Sequence, residues 1–157
     1  MKKFIFILFI SGLTFAQNKN NSTPTKPKLE SITLGGGCYW CVEAVYENLR
    51  GVQSVVSGFA GGTTVNPSYE EVSSGQTGHA ECVQITYDPM VTSLDEIFKV
   101  FFSVHDPTTL NRQGADEGTQ YRSVIFFQNL QQKKAAQNII AALQKAKVFD
   151  KPIVTKI

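Results

Sequence analysis

Three consecutive glycines, Gly35-Gly36-Gly37, stand between a short apolar run and an amphipathic one, and they set a tight strand-to-helix junction. Glycine takes φ > 0 readily, which lets the backbone turn sharply and lets another molecule come close to it. Cys38 follows directly. A helix N-terminus presents unpaired N–H groups and the positive end of the macrodipole, and both favour a thiolate over a thiol. Cys38 is therefore a candidate nucleophile, and Tyr39 and Trp40 supply aromatic, apolar walls beside it.

Around this junction strands and helices alternate. Residues 31–34 read as a strand, and Val42, Val45, Tyr46 and Leu49 fall at i, i+3, i+4 and i+7 of a helix, with Arg50 in its last turn and Gly51 as its C-cap. Residues 52–59 and 82–87 read as strands, the second bounded by Asp88-Pro89. Ser93-Leu94-Asp95-Glu96 is a capping box that opens a helix with Ile97, Val100, Phe101 and Val104 inward. Residues 120–127 read as a strand, Asn129 caps a helix reaching Lys147, and residues 153–157 are β-branched enough for a last strand. The order β-α-β-β-α-β-α-β predicts an α/β (α+β) fold, a mixed-sheet two-layer sandwich of ferredoxin-like type with helices on one face. Two long irregular stretches, 61–80 and 105–118, are read as active-site loops.

The first residues stand apart from this domain. Met1-Lys2-Lys3 is basic, residues 4–15 are almost wholly apolar, and Thr14-Phe15-Ala16 offers a small-residue cleavage site, so residues 1–16 read as a secretory signal peptide. The apolar run is short for a membrane span. Export to the periplasm or cell envelope is the expectation. Residues 17–28, rich in Asn, Thr, Lys and Pro, read as a flexible linker, leaving 29–157 as one domain long enough for a sizeable core. Without the leader the chain carries 13 basic and 13 acidic side chains. A nucleic-acid partner demands a basic surface, so that class is excluded.

Joined in order, the remaining motifs become specific. Gly36-Gly37-Cys38-Tyr39-Trp40 with Val42-Glu43, Gly58-Phe59-Ala60-Gly61-Gly62, Asn66-Pro67-Ser68-Tyr69, Gly78-His79-Ala80-Glu81, Tyr87-Asp88-Pro89, His105-Asp106-Pro107 and Asp116-Glu117-Gly118-Thr119-Gln120-Tyr121-Arg122-Ser123 resemble the motifs of the peptide methionine sulfoxide reductase A family. That resemblance implies thiol-dependent reduction of the S epimer of methionine sulfoxide, free or in oxidised proteins. It places the attack on Cys38, the substrate methyl group against Tyr39 and Trp40, and proton delivery to the leaving oxygen on Glu81. Tyr69 and Tyr121 are implied to hydrogen-bond that oxygen, and Asp116 to help organise the site. No cofactor and no metal is implied; the partners are methionine sulfoxide in peptides and proteins and a thioredoxin-like reductant, with the enzyme acting as a monomer.

Elementary chemistry points the same way. A sulfoxide oxygen leaves poorly unless it gains a proton as the sulfur is attacked, so the site needs an acid near neutral pH. A glutamate stripped of water in an aromatic pocket has its pKa raised. The reaction leaves a Cys38 sulfenic acid, which condenses with a nearby thiol.

The chain departs from the family pattern in three places. Tyr39 replaces the commoner phenylalanine, Cys41 replaces a common glycine, and the sequence stops at Ile157 where relatives continue through a further segment, so the domain is expected to be short at its C-terminal end. Cys41 lies at i+3 from Cys38, and Cys-x-x-Cys pairs at helix starts close into disulfides with little movement. It is therefore favoured as the resolving thiol over Cys82, which strand alternation aims away from its neighbour Glu81. Two other readings use the same cysteines: a zinc-stapled module with Cys38, Cys41, His79 and Cys82 as ligands, and a thioredoxin-like dithiol carrier. The carrier reading leaves Glu81 and the tyrosines without a purpose.

Overall fold

The alternation along residues 83–87 decides which way the sheet faces. Val83, Ile85 and Tyr87 are buried, while Gln84 between them is exposed, so one face of this strand carries the core and the other meets solvent. The structure, a computed structural model, describes residues 28–157. The signal peptide expected over 1–16 and the linker over 17–28, its last residue aside, lie outside the described residues.

Four strands form the main sheet: β1 (Glu30–Gly35), β2 (Val52–Ala60), β3 (Ala80–Tyr87) and β6 (Val124–Phe126), in the order β2-β3-β1-β6 with every neighbour antiparallel. A short hairpin of β4 (Arg112–Gln113) and β5 (Asp116–Glu117) stands apart. With helices α1 (Tyr39–Tyr46) and α3 (Leu94–Val104) as crossovers, this is the ferredoxin-like arrangement, a two-layer α+β sandwich. Ile32, Leu34, Val83, Ile85 and Ile125 from the sheet meet Val42 and Tyr46 of α1, four side chains of α3 and Ala136 of α4 (Leu130–Lys145).

Several sequence expectations need correction. Residues 153–157 form no strand; Lys156 alone bridges to Val124, in parallel, and this bridge is the one parallel contact in an otherwise antiparallel sheet among the described residues. Val154 N–H donates to Pro107 O at 2.8 Å, while Lys156 alone pairs beside β6, its N–H on Ser123 O at 3.1 Å and its carbonyl accepting from Ile125 N–H at 2.8 Å, so the segment is held by a loop and one rung rather than a full ladder. Helix α1 ends at Tyr46, and Leu49 to Gly51 make the turn that the helical periodicity absorbed. The buried face of α3 is Ile97, Phe98, Phe101 and Phe102, rotated from the predicted stripe, with Val104 exposed. Residues 120–127 divide into a 3-10 turn (Thr119–Tyr121) and β6. The first long stretch holds a helix, α2 (Tyr69–Ser73), closed by a capping box in which Ser68 accepts from Glu71 N–H and Glu71 from Ser68 N–H. The second holds the β4–β5 hairpin.

A buried relay ties these loops to the core. His105 donates from Nδ1 to Phe101 O and accepts at Nε2 from Ser123 Oγ, both at 2.7 Å, and Ser123 in turn accepts from Thr155 Oγ1 at 2.7 Å. Burial pushes the His105 imidazole below its ordinary value of 6.5, against the Phe101 hydrogen bond and the Asp106 charge. The unfolded chain therefore binds more protons than the folded one as the pH falls below about 6.5, and stability is lost in that window. The melting temperature should fall between pH 7 and pH 5 with a slope that shrinks in His105→Gln. Equal slopes in the two proteins would assign the dependence to another group.

Candidate functional site

Glu81 shares the parity of Val83, Ile85 and Tyr87, so it points to the core side of the sheet, beneath the start of α1. Its side chain is only 2% exposed, and its Oε2 accepts the Tyr39 N–H at 3.1 Å. Burial raises its pKa first, the Tyr39 hydrogen bond opposes that rise, and the Asp116 charge adds to it. The carboxyl expected to carry a proton is thus held by the residue that follows the expected nucleophile.

Cys38 is the N-cap of α1, and its side chain makes no capping hydrogen bond. Its carbonyl accepts from Cys41 N–H at 3.2 Å and Val42 N–H at 3.4 Å, which starts the helix and leaves the half-buried thiol free of structural duty. Gly37 needs its glycine twice over. Its φ is +96°, and a Cβ there would meet Gln113 Cγ at 2.5 Å. Gln113 belongs to β4 and accepts the Asp106 N–H at 3.1 Å, so the hairpin is laid across the glycine turn and brings Asp116 to the site.

The aromatic side is more open than a closed pocket. The Tyr39 ring stacks on Trp40 at 6.0 Å between centroids and on Phe59 at 5.8 Å, while Trp40 is 69% and Tyr69 50% exposed. Tyr69 opens α2, and Tyr121 closes the 3-10 turn. Desolvation first, and then the charges of Glu81 and Tyr69, push the phenols of both Tyr39 and Tyr121 up. These five groups, Tyr39, Tyr69, Glu81, Asp116 and Tyr121, therefore share one electrostatic neighbourhood.

The three cysteines separate cleanly. Cys41 is exposed and looks into a cavity of about 360 Å³ that Cys38, Val42, Val45, Val104 and Asp116 also line. The Cys38 charge, then a hydrogen bond with Cys38, push the Cys41 thiol up. Cys82 is buried on the far face of β3, its Sγ donates to Gly58 O at 3.5 Å, and desolvation pushes it up to about 12. His79 is engaged elsewhere, through Nε2 and Thr64 O at 2.9 Å. Among the described residues no three His, Cys, Asp or Glu side chains converge as metal ligands, so the alternative zinc set is not assembled.

Two contacts escaped the sequence. Arg122 donates to Thr119 O at 2.8 Å and to Gly78 O at 3.0 Å, clamping the turn that bears Tyr121 to the turn that feeds Glu81. Glu43 accepts from Ser57 Oγ at 2.7 Å. Their positions inside motifs are visible; the distant partners Gly78 and Ser57, 44 and 14 residues away, are not. A larger cavity of about 640 Å³, lined by Gly61, Gly78, Thr119, Arg122 and Lys156, holds none of the candidate catalytic groups.

The family profile described as peptide methionine sulfoxide reductase matches residues 30–157, nearly all of the described chain. The chain belongs to this family. It is 54% identical over 131 residues to the peptide methionine sulfoxide reductase MsrA of Polynucleobacter asymbioticus, covering 83% of this chain and 69% of that one. Among solved structures, methionine sulfoxide reductase A of Corynebacterium diphtheriae superposes with a TM-score of 0.71 at 36% identity, over 83% of this chain and 64% of that one. Mxr1 of Saccharomyces cerevisiae in reduced form gives 0.77 at 35% identity, over 82% and 75%. The same yeast reductase in complex with Trx2 gives 0.59 at 26%, over 81% and 73%. In this methionine sulfoxide reductase fold, Tyr39 and Glu81 meet at the start of α1 that Cys38 caps, while Tyr87-Asp88-Pro89 of the same motif set lies at the other end of β3.

Proposed function

We propose that this domain reduces methionine S-sulfoxide to methionine, in oxidised proteins and in the free amino acid, with Cys38 as nucleophile and Glu81 as proton donor. The observation that carries this assignment is the Tyr39 N–H to Glu81 Oε2 hydrogen bond, which fixes a buried carboxyl one residue from the thiol. Cys38 sulfur attacks the sulfoxide sulfur as the oxygen takes the Glu81 proton, with Tyr69 and Tyr121 hydrogen-bonding that oxygen. The Cys38–substrate S–S bond and the substrate S–O bond then break as the protonated oxygen passes to Cys38 sulfur, so methionine leaves two electrons richer and Cys38 is left as a sulfenic acid. Cys41 sulfur then attacks Cys38 sulfur, water departs, and a disulfide forms. A dithiol of the thioredoxin fold reduces it; the yeast relative's complex with Trx2 supports that class of partner. Tyr39 and Trp40 receive the methyl group from an open side, which suits a methionine presented on a protein surface. Every group in this scheme comes from one chain, so the domain is proposed to act as a monomer.

Glu81→Gln should slow the single-turnover chemical step by about 10²- to 10⁴-fold, the range general acids contribute, with a small change in substrate affinity. It should cost no thermal stability at pH 8, because it removes a carboxylate that burial disfavours. Single-turnover rapid-quench kinetics measure the first and calorimetry the second. A rate within a factor of about three of wild type would move the acid to another group.

A further inference from the structure

Helix α1 meets strand β2 at two points that repeat with matching periods. Tyr39 and Glu43 are i and i+4 on the helix, and Phe59 and Ser57 are two apart on the strand, so each pair lies on one face. Tyr39 stacks on Phe59 at 5.8 Å, and one helical turn further Glu43 Oε2 accepts the Ser57 hydroxyl at 2.7 Å. Strand β2 is paired to β3 in a register that sets Phe59 opposite Glu81 and Ser57 opposite Val83. Tyr39, Phe59 and Glu81 thus close a triangle across three elements, with the Tyr39 N–H on Glu81 as its third side.

We propose that Glu43 is a positioning residue, whose hydrogen bond to Ser57 holds α1 against β2 so that the Tyr39 N–H stays on Glu81. Tyr46, buried and donating its hydroxyl to Ile97 O at 2.8 Å, holds the α3 side of α1, and the hydrogen bond to Ser57 supplies the directional contact on the β2 side, one turn from Tyr39. The proposal rests on Glu81 being the proton donor. The groups that face Glu81 are the phenols of Tyr39 and Tyr121 and the carboxyl of Asp116, with the Cys82 thiol behind the strand; Ser57 belongs to none of their contacts. Burial lifts the Glu81 pKa and the Tyr39 N–H lowers it, so loosening that hydrogen bond lifts it further.

The test is a carboxyl carbon-13 NMR titration of Glu81 beside the pH profile of single-turnover reduction, in wild type, Ser57→Ala, Glu43→Ala, Glu43→Gln and the double Ala variant. In Ser57→Ala and Glu43→Ala the Glu81 titration and the alkaline limb should both move to higher pH, and the rate on the acid plateau, where Glu81 is protonated in every variant, should fall about 3- to 10-fold, the factor one hydrogen bond commands. The double variant should be no worse than either single one, and Glu43→Gln, which keeps the acceptor, should keep the wild-type profile. Unmoved Glu81 titration in Ser57→Ala, or losses that multiply in the double variant, would overturn the proposal. If Glu43→Ala fails to fold, Ser57→Ala, which removes one hydroxyl, decides alone. A Glu81 titration that moves in a protein with no sulfoxide reductase activity would uphold the positioning and sink the proposed function instead.

Discussion

Cys38→Ser abolishes sulfoxide reduction, by a factor on the order of 10⁶ if it matches the loss of other catalytic nucleophiles, and it leaves the fold intact or slightly more stable. The two halves of this result come from one geometry. Cys38 occupies the N-cap of α1 without using its side chain as a cap, and serine is among the best capping residues, worth about 1 kcal/mol over a non-capping one. The wild-type chain forgoes that stabilisation in favour of a thiol. An assay with the pure S epimer and dithiothreitol reads the loss, and calorimetry reads the melting temperature, expected at or above wild type. More than a trace of activity in the serine variant would place the nucleophile elsewhere.

Much of the fold and of the site was legible in the sequence because local patterns carry local information. The glycine run predicts the strand-to-helix junction, residues 82–87 bounded by Asp88-Pro89 read as the strand that forms there, and Asn129 caps its helix, accepting from Gln132 N–H at 2.9 Å. The errors arose where tertiary contacts outweigh local pattern. Residues 153–157 have strand composition, yet they find a loop carbonyl and a single bridge; α3 turns its Phe98 and Phe102 inward, into the one buried cluster that β1, β3 and α4 also fill. Helix α2 is legible in Ser68 and Glu71, a capping box set inside a stretch whose Asn, Pro, Ser and Gly content otherwise reads as loop. The roles of Tyr69, Tyr121 and Asp116 came from resemblance alone, since no spacing rule relates three loops that meet only in the folded chain. Glu43 stood in a motif without a role until its partner Ser57, on another element, became visible.

Cys41→Ser should still consume about one equivalent of sulfoxide, trap Cys38 as a sulfenic acid, and lose thioredoxin-driven turnover, whereas Cys82→Ser should turn over almost normally. The structure separates these thiols on three grounds. Cys41 lies on the helix that Cys38 caps, it is exposed, and it shares with Cys38 a cavity of about 360 Å³. Cys82 sits behind β3 with its hydrogen committed to the Gly58 carbonyl, and burial pushes its thiol up to about 12, which leaves almost no thiolate at neutral pH. Reaching Cys38 would require Cys82 to cross a strand whose neighbours on both sides are paired. An exposed resolving thiol also gives a dithiol reductant a sulfur to attack without disturbing the Glu81 side of the site: the reductant's thiolate bonds to Cys41 sulfur, the disulfide breaks, and Cys38 leaves as the thiolate ready for the next substrate. Dimedone labelling with mass spectrometry checks the trapped sulfenic acid, and peptide mapping after oxidation checks the pairing. A Cys38–Cys82 disulfide in that map would transfer the resolving role to Cys82 and require β3 to open in every turnover.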